Sequence, residues 1–238
     1  MRLLAFDIET TGFDPDKDRI IELGFALYDT KLSTLLTTGG MLLNRPGFPK
    51  SSEQALRAHG ISEEVLFEFG RDPAPALFRF LESLLTWKVD VLVGHNSKNF
   101  DLPFLIKECL KESLDPRSLK YLDHIDTRID LIFEREPDSR KLKYMAADAG
   151  FLHTDQHRAL FDAVACLKVL LKHDVEKVLA YSKIPFKTVE AVVTFDQREL
   201  AKARGYQWQP AQKKWTKTLK ETEVAREKSE APFTVEEA

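Results

Sequence analysis

Apolar and polar positions change period several times along this chain, and each change marks an element. Leu3-Leu4-Ala5-Phe6, followed by Asp7-Ile8-Glu9, is a short apolar run ending in acids, the pattern of a buried strand that emerges at a surface. Residues 20–28 and 35–43 predict two more strands, with Asp29-Thr30 and Asn44-Arg45-Pro46-Gly47 as turns. Three strands without an intervening helix predict an antiparallel meander. The spacing then becomes helical over residues 74–87, returns to a strand over 90–94 and is helical again over 102–110, so a parallel strand is added to the sheet. Residues 141–149, stopped by Gly150, and 159–179 predict two further helices, the second long and apolar on one side.

Ile184-Pro185 reads as a boundary. Beyond it, residues 188–195 predict a strand, 197–203 a short helix before Gly205, and 206–219 a hairpin. From Glu221 the chain is rich in Glu and Lys and is expected to be a solvated tail or a frayed helix. The organisation expected is an α/β domain over residues 1–183, a small α+β module over 187–220 and a charged tail over 221–238.

Composition narrows the class. With 43% hydrophobic and 31% charged residues the chain reads as a soluble globular protein, and no apolar run approaches the roughly 20 residues that cross a bilayer. Met1-Arg2 opens onto only four apolar residues, too few for a secretory segment, so the expected location is intracellular and cytoplasmic, away from membranes. Cys109 and Cys166, the two cysteines, lack disulfide or zinc spacing and are expected in the core. A net charge of −3 decides nothing about nucleic acid, because a polyanion is bound by local basic surface.

Candidate chemistry lies in three acidic clusters. Strand side chains alternate, so Asp7 and Glu9 share a face, and two neighbouring carboxylates call for a proton or a cation between them. Hard oxygen donors suit Mg²⁺ or Mn²⁺; the alternative is that one acid caps the turn at Thr10-Thr11-Gly12 and the other faces solvent. His95-Asn96-Ser97-Lys98-Asn99-Phe100-Asp101 follows a strand and opens a helix, which places Asp101 at a strand–helix junction beside the first strand or makes it an ordinary first-turn acid. His157 and Asp162 open the long helix. Five residues apart, they would lie roughly 140° apart on a regular helix, so they suit different tasks.

As an ordered set, Asp7-Ile8-Glu9-Thr10-Thr11-Gly12, His95 to Asp101 and His157-x-x-x-x-Asp162 resemble the DEDDh group of DnaQ-like 3′-5′ exonucleases in the RNase H-like superfamily. The resemblance spans roughly residues 1–182. It implies a mixed five-stranded sheet flanked by helices and a metal-dependent hydrolysis of phosphodiester bonds. It also implies that Asp7, Glu9, Asp101 and Asp162 hold two divalent cations, Mg²⁺ or Mn²⁺, and that His157 takes a proton from the attacking water. Ala58-His59-Gly60-Ile61-Ser62 is similar to a segment that lines the terminal-nucleotide pocket in many members. Thr10, Thr11, Gly12, His59, Asn96 and Phe100 are therefore the expected substrate contacts. Ser97-Lys98-Asn99 makes a three-residue spacer where proofreading subunits usually have two, a spacing also found in stand-alone repair exonucleases.

Other motifs are set aside. Asp14-Pro15-Asp16-Lys17-Asp18 imitates a calcium loop but has Arg19 and Phe25 where that loop needs Gly and Glu. His153 and His157 are spaced like a zinc pair but lack the accompanying Glu or Cys. His95 is expected to be structural. Residues 187–220 carry eight basic and three acidic side chains, a local charge of +5, interleaved with Tyr206, Trp208 and Trp215. That mixture fits either a surface that contacts nucleic acid or a protein partner, or a miniature core kept soluble by its lysines. The expected substrate is DNA with single-stranded or frayed 3′ ends; RNA or oligoribonucleotides are the alternative. A nucleic-acid-binding scaffold, the reading from another class, would require a lost acid, and all four are present.

Overall fold

Alternation along the first strand, β1 (Arg2–Thr10), sorts its side chains between two cores. The computed structural model describes residues 1–135, 137–152 and 157–238. β1 is followed by β2 (Ile20–Asp29) and β3 (Thr34–Leu42), helices α1 (Glu53–His59), α2 (Glu63–Phe69) and α3 (Pro73–Thr86), then β4 (Val91–Gly94) and α4 (Asp101–Lys111). A short helix α5 (Arg117–Tyr121), β5 (Asp123–Asp126), α6 (Leu142–Asp148), α7 (Ala159–Leu170) and α8 (Val175–Ser182) complete the first of two compact units, Met1–Ser182. Its sheet runs β3-β2-β1-β4-β5, with β1, β2 and β3 antiparallel and β4 and β5 parallel additions.

Leu4, Phe6 and Ile8 enter one core with Leu77, Phe80 and Leu84 of α3 and Phe104 and Leu105 of α4. Leu3 and Ala5 enter the other, with Ala163, Cys166 and Leu170 of α7 and Met145 of α6. Asp7 and Glu9 continue the Leu3–Ala5 row, so the strand itself delivers both acids to the face that α7 covers. Close approach of that helix depends on Gly24, paired with Asp7 across β1 and β2: a Cβ there would lie 2.1 Å from the Leu160 backbone nitrogen.

The helix expected over residues 159–179 is two helices. Asp174 interrupts it, because its carboxylate accepts the Lys177 N–H (3.1 Å) and its carbonyl the Val178 N–H (2.9 Å), which starts α8 anew. β5 has no strong strand pattern in the sequence; Asp123 and His124 obscure its single buried apolar residue, Ile125. No helix among the described residues is long and apolar enough to cross a membrane.

The second unit, Lys183–Ala238, contains β6 (Phe186–Val192), a 3-10 turn at Phe195–Gln197, α9 (Arg198–Ala203), β7 (Gln207–Gln209), β8 (Lys214–Lys220), α10 (Glu221–Glu230) and β9 (Thr234–Glu237). Its antiparallel sheet has the order β7-β8-β6-β9. The stretch from residue 221, expected as a charged tail, is part of this fold. β9 pairs with β6, Val224 and Val235 enter the core, and buried Glu227 pairs with Arg204 (3.0 Å) and Lys217 (3.2 Å). Sparse apolar residues at the right spacing outweigh the charge that suggested solvation.

Candidate active site

A cavity of about 550 Å³ opens at the carboxyl end of β1 and is bordered by Asp7, Glu9, Thr10, His59, His95, Asn96, Phe100, Asp101, His157 and Asp162. Asp7, Glu9 and Asp162 each offer a ligand oxygen, all within 4.8 Å of one another. Asp101 borders the same cavity, with one carboxylate oxygen accepting the Ile8 N–H at 3.1 Å. β4 stops at Gly94 while β1 runs on to Thr10, and this leaves the Ile8 N–H for the side chain that begins α4.

Crowding of the acids leaves an electrostatic mark. Burial, then the charges of Asp101, Asp162, Glu9 and Glu22, holds the Asp7 carboxyl well above the usual carboxylate range. Burial, followed by Asp162 and Glu22, pushes Glu9 up to about 8. Asp101 is pushed up to about 7, mainly by burial. Such a donor set resists ionisation without a counter-charge, and its hard oxygens fit divalent cations of the Mg²⁺ or Mn²⁺ kind.

Two residues that the sequence did not single out shape this site. Glu22, on β2, accepts the Ala159 N–H at the start of α7 (3.0 Å) and pairs with the Arg158 guanidinium (2.8 Å). Asp162 in turn accepts the Arg158 N–H at 3.2 Å, so the first turn of α7 is fixed where its acid meets β1. Asp126, fully buried at the end of β5, accepts N–H groups from Asn96 (2.8 Å), Lys98 (3.0 Å) and Arg128 (3.0 Å). Lys98 also pairs with Asp130 at 2.6 Å, and Ser97 bonds His124 at 2.9 Å, which together hold the loop between β4 and Asp101. Asp126→Asn, which weakens that acceptor set, is expected to lower turnover by about 10–100-fold. An unchanged rate in a variant with a normal melting curve would contradict the assigned support of Asp101.

His59, expected at the substrate from the resemblance alone, is 6% exposed. Its Nδ1 accepts the Ile61 N–H at 2.9 Å, so the proton sits on Nε2, which has no hydrogen-bond partner among the described residues. His95 bonds Thr127 through Nδ1 at 3.0 Å, and burial pulls it down to about 4, as suits a neutral structural imidazole. Thr11 and Gly12, expected at the substrate, do not border the cavity. The Thr11 hydroxyl donates to Asp18 (3.2 Å) and accepts the Arg19 N–H (3.0 Å), and a Cβ at Gly12 would meet the Asp18 carboxylate at 2.4 Å. Both therefore shape the loop after β1. In the calcium-like loop, Asp18 is further engaged by the Asp14 N–H (2.9 Å), Asp14 by Lys17 (2.9 Å) and Asp16 by Lys107 (2.6 Å). His153 of the zinc-like pair lies outside the described residues. Phe13, Lys141 and Lys143 also border the cavity and were not singled out from the sequence.

A family model described as exonuclease (RNase_T) matches residues 4–170, and a model described as a domain of unknown function matches residues 187–238. The chain is 29% identical over 185 residues to DNA polymerase III subunit epsilon of Treponema pallidum, covering 69% of this chain and 73% of that protein. It is 28% identical over 195 residues to the chloroplastic/mitochondrial exonuclease DPD1 of Arabidopsis thaliana, covering 77% of this chain and 60% of that one. The fold matches E. coli exonuclease I in complex with a dT13 oligonucleotide, with a TM-score of 0.62 at 18% identity over 81% of this chain. This chain spans about half, 48%, of that structure's length.

Proposed function

This chain belongs to the RNase_T exonuclease family, with the DnaQ-like fold, and on that footing we propose that it removes nucleotides from the 3′ end of single-stranded or frayed DNA. Asp7, Glu9, Asp101 and Asp162 would hold two divalent cations, Mg²⁺ or Mn²⁺. The observation that carries this reading is the convergence of ligand oxygens from Asp7, Glu9 and Asp162 within 4.8 Å, from residues far apart in sequence, with Asp101 on the same cavity. Bound there, such ions supply charge stabilisation to the attacking and leaving oxygens of a displacement at phosphorus.

The chain's own residues supply the rest. His157, at the cavity edge, takes the proton of the attacking water. The unpartnered Nε2–H of His59 is a buried donor suited to an oxygen of the terminal nucleotide, and Lys141 and Lys143 suit its phosphates. Phe100 and Phe13, with ring centroids 6.3 Å apart, offer a surface on which a terminal base stacks. The preference for DNA rests on the relatives: the Treponema protein is a DNA polymerase subunit, and the E. coli structure holds dT13.

The test incubates the protein with single- and double-stranded DNA and RNA, labelled at either end, in Mg²⁺, Mn²⁺ or chelator. Ladders that shorten DNA from its 3′ end, and vanish in chelator, are expected. Faster shortening of RNA would reassign the substrate, and intact substrates under every condition would overturn the activity.

A further inference from the structure

The second unit carries a groove whose chemistry is not used by the active site. Residues 183–238 contain eleven basic and nine acidic side chains, a near balance that the fold does not spread evenly. Six of the acids belong to residues 221–238, in α10 and β9, and β9 is the sheet edge opposite β7. On the β7 side, between α9 and the ends of β6 and β8, a groove of about 990 Å³ has four basic residues and two acids in its wall.

Its aromatic side chains divide by role. Tyr206 is 2% exposed and belongs to the core with Val189 and Ala191, and Trp215 packs partly against them. Trp208 faces Trp215 across β7 and β8, with ring centroids 5.7 Å apart, yet it is 45% exposed. Phe195, on the 3-10 turn, is 76% exposed, and the Arg198 guanidinium lies 3.7 Å from its ring centroid. A miniature core accounts for Tyr206 and Trp215; it does not account for two large rings left open on one groove. Among the basic residues, Lys214 is paired with Glu190, and Arg198 approaches Glu199 at 3.6 Å. Lys202 and Lys213 are exposed on the same wall.

We propose that this groove binds single-stranded DNA, with bases stacked on Trp208 and Phe195 and phosphates against Lys202, Lys213 and Arg198. Exposed rings stack on any base, and clustered cations neutralise the backbone, a combination that favours a nucleic-acid strand over a purely acidic peptide. The choice of DNA rests on the function proposed above, whereas the stacking and charge are properties of this unit alone.

Full-length protein in chelator, titrated into a fluorescently labelled dT oligonucleotide and read by anisotropy across a salt series, tests it without cleavage. Trp208→Ala is expected to weaken binding about tenfold, and Trp208→Phe to retain most of it. Lys202→Gln with Lys213→Gln is expected to lower the slope of log affinity against log salt by about 1.4, at roughly 0.7 per phosphate contact on a single strand. Circular dichroism of each variant separates loss of contact from loss of fold. Parental affinity and slope in both Trp208→Ala and the double lysine variant would overturn the proposal. So would an acidic peptide that displaces dT from the parent and binds Trp208→Ala as tightly, which would assign the groove to a protein partner. Cleavage ladders report on the active site and anisotropy on the groove, so failure of one is read apart from failure of the other.

Discussion

Asp7→Asn is expected to lower exonuclease turnover by at least about 10²–10³-fold, the scale on which a charge-stabilising contact in an active site acts, while making the cation-free protein more stable above neutral pH. The two effects have one origin. Folded-state values for Asp7, Glu9 and Asp101 lie above the ordinary 3.8 and 4.5, with Glu9 at about 8 and Asp101 at about 7. The folded protein therefore binds more protons than the unfolded one, and the stability these groups contribute at low pH is lost as pH rises through their folded values. Buried histidines act in the opposite sense: His95 and His124 are pulled from 6.5 to about 4 by burial, and their contribution is lost as pH falls below 6.5. The clean window thus runs from the histidine value of 6.5 up to about 8, where Glu9 titrates in the folded protein. Within it Glu9 alone is worth about 2 kcal/mol at about 1.4 kcal/mol per pKa unit, a shift of several °C in Tm for a protein of this size. In chelator the parent's Tm should fall across that window, Mn²⁺ should restore it most at the alkaline end, and Asp7→Asn should flatten the fall and respond less to Mn²⁺. A parent whose Tm is indifferent to both pH and Mn²⁺ there would contradict the account of the acidic cluster.

Much of this site was legible because strand periodicity is strict. In Leu3-Leu4-Ala5-Phe6-Asp7-Ile8-Glu9 the alternation alone puts both acids on one face, and that face is the one α7 covers. The meander and the parallel β4 follow from apolar runs and their turns. What escaped depends on contacts between distant segments. Glu22 sits in a strand and reads as an ordinary polar position, yet its value lies in meeting the Ala159 N–H 137 residues away. Asp126 ends a four-residue strand with little pattern, and only the fold brings three N–H groups of two loops onto it. Thr11 and Gly12 follow Glu9 directly in sequence yet lie off the cavity, because the Asp18 carboxylate draws that turn into its own set of contacts. Residues 221–238 escaped because charge density hid two apolar anchors, Val224 and Val235.

Replacing His157 is expected to cost about 10²–10⁴-fold in kcat, the usual contribution of a general base, with little change in KM. Its position makes the test sharp. His157 lies outside α7, two residues before Ala159, whose N–H is held by Glu22, and one before Arg158, whose N–H is held by Asp162. The imidazole therefore leaves a clamped helix start at the edge of the cavity that Asp7, Glu9 and Asp162 share. Its backbone has φ +61°, in the left-handed region where His, Asn and Asp are enriched several-fold over other side chains, so His157→Ala adds a backbone cost of up to about 1 kcal/mol besides the loss of the ring. Asn tolerates that conformation, and His157→Asn separates the two effects: it should recover any Tm lost by Ala while remaining as inactive. Exogenous imidazole, small enough for the space left by truncation to Ala, should restore part of the Ala variant's turnover in proportion to its neutral fraction. Recovery of parental turnover by Asn would show that backbone shape, not proton transfer, is what His157 contributes, because an amide side chain cannot take the proton of the attacking water.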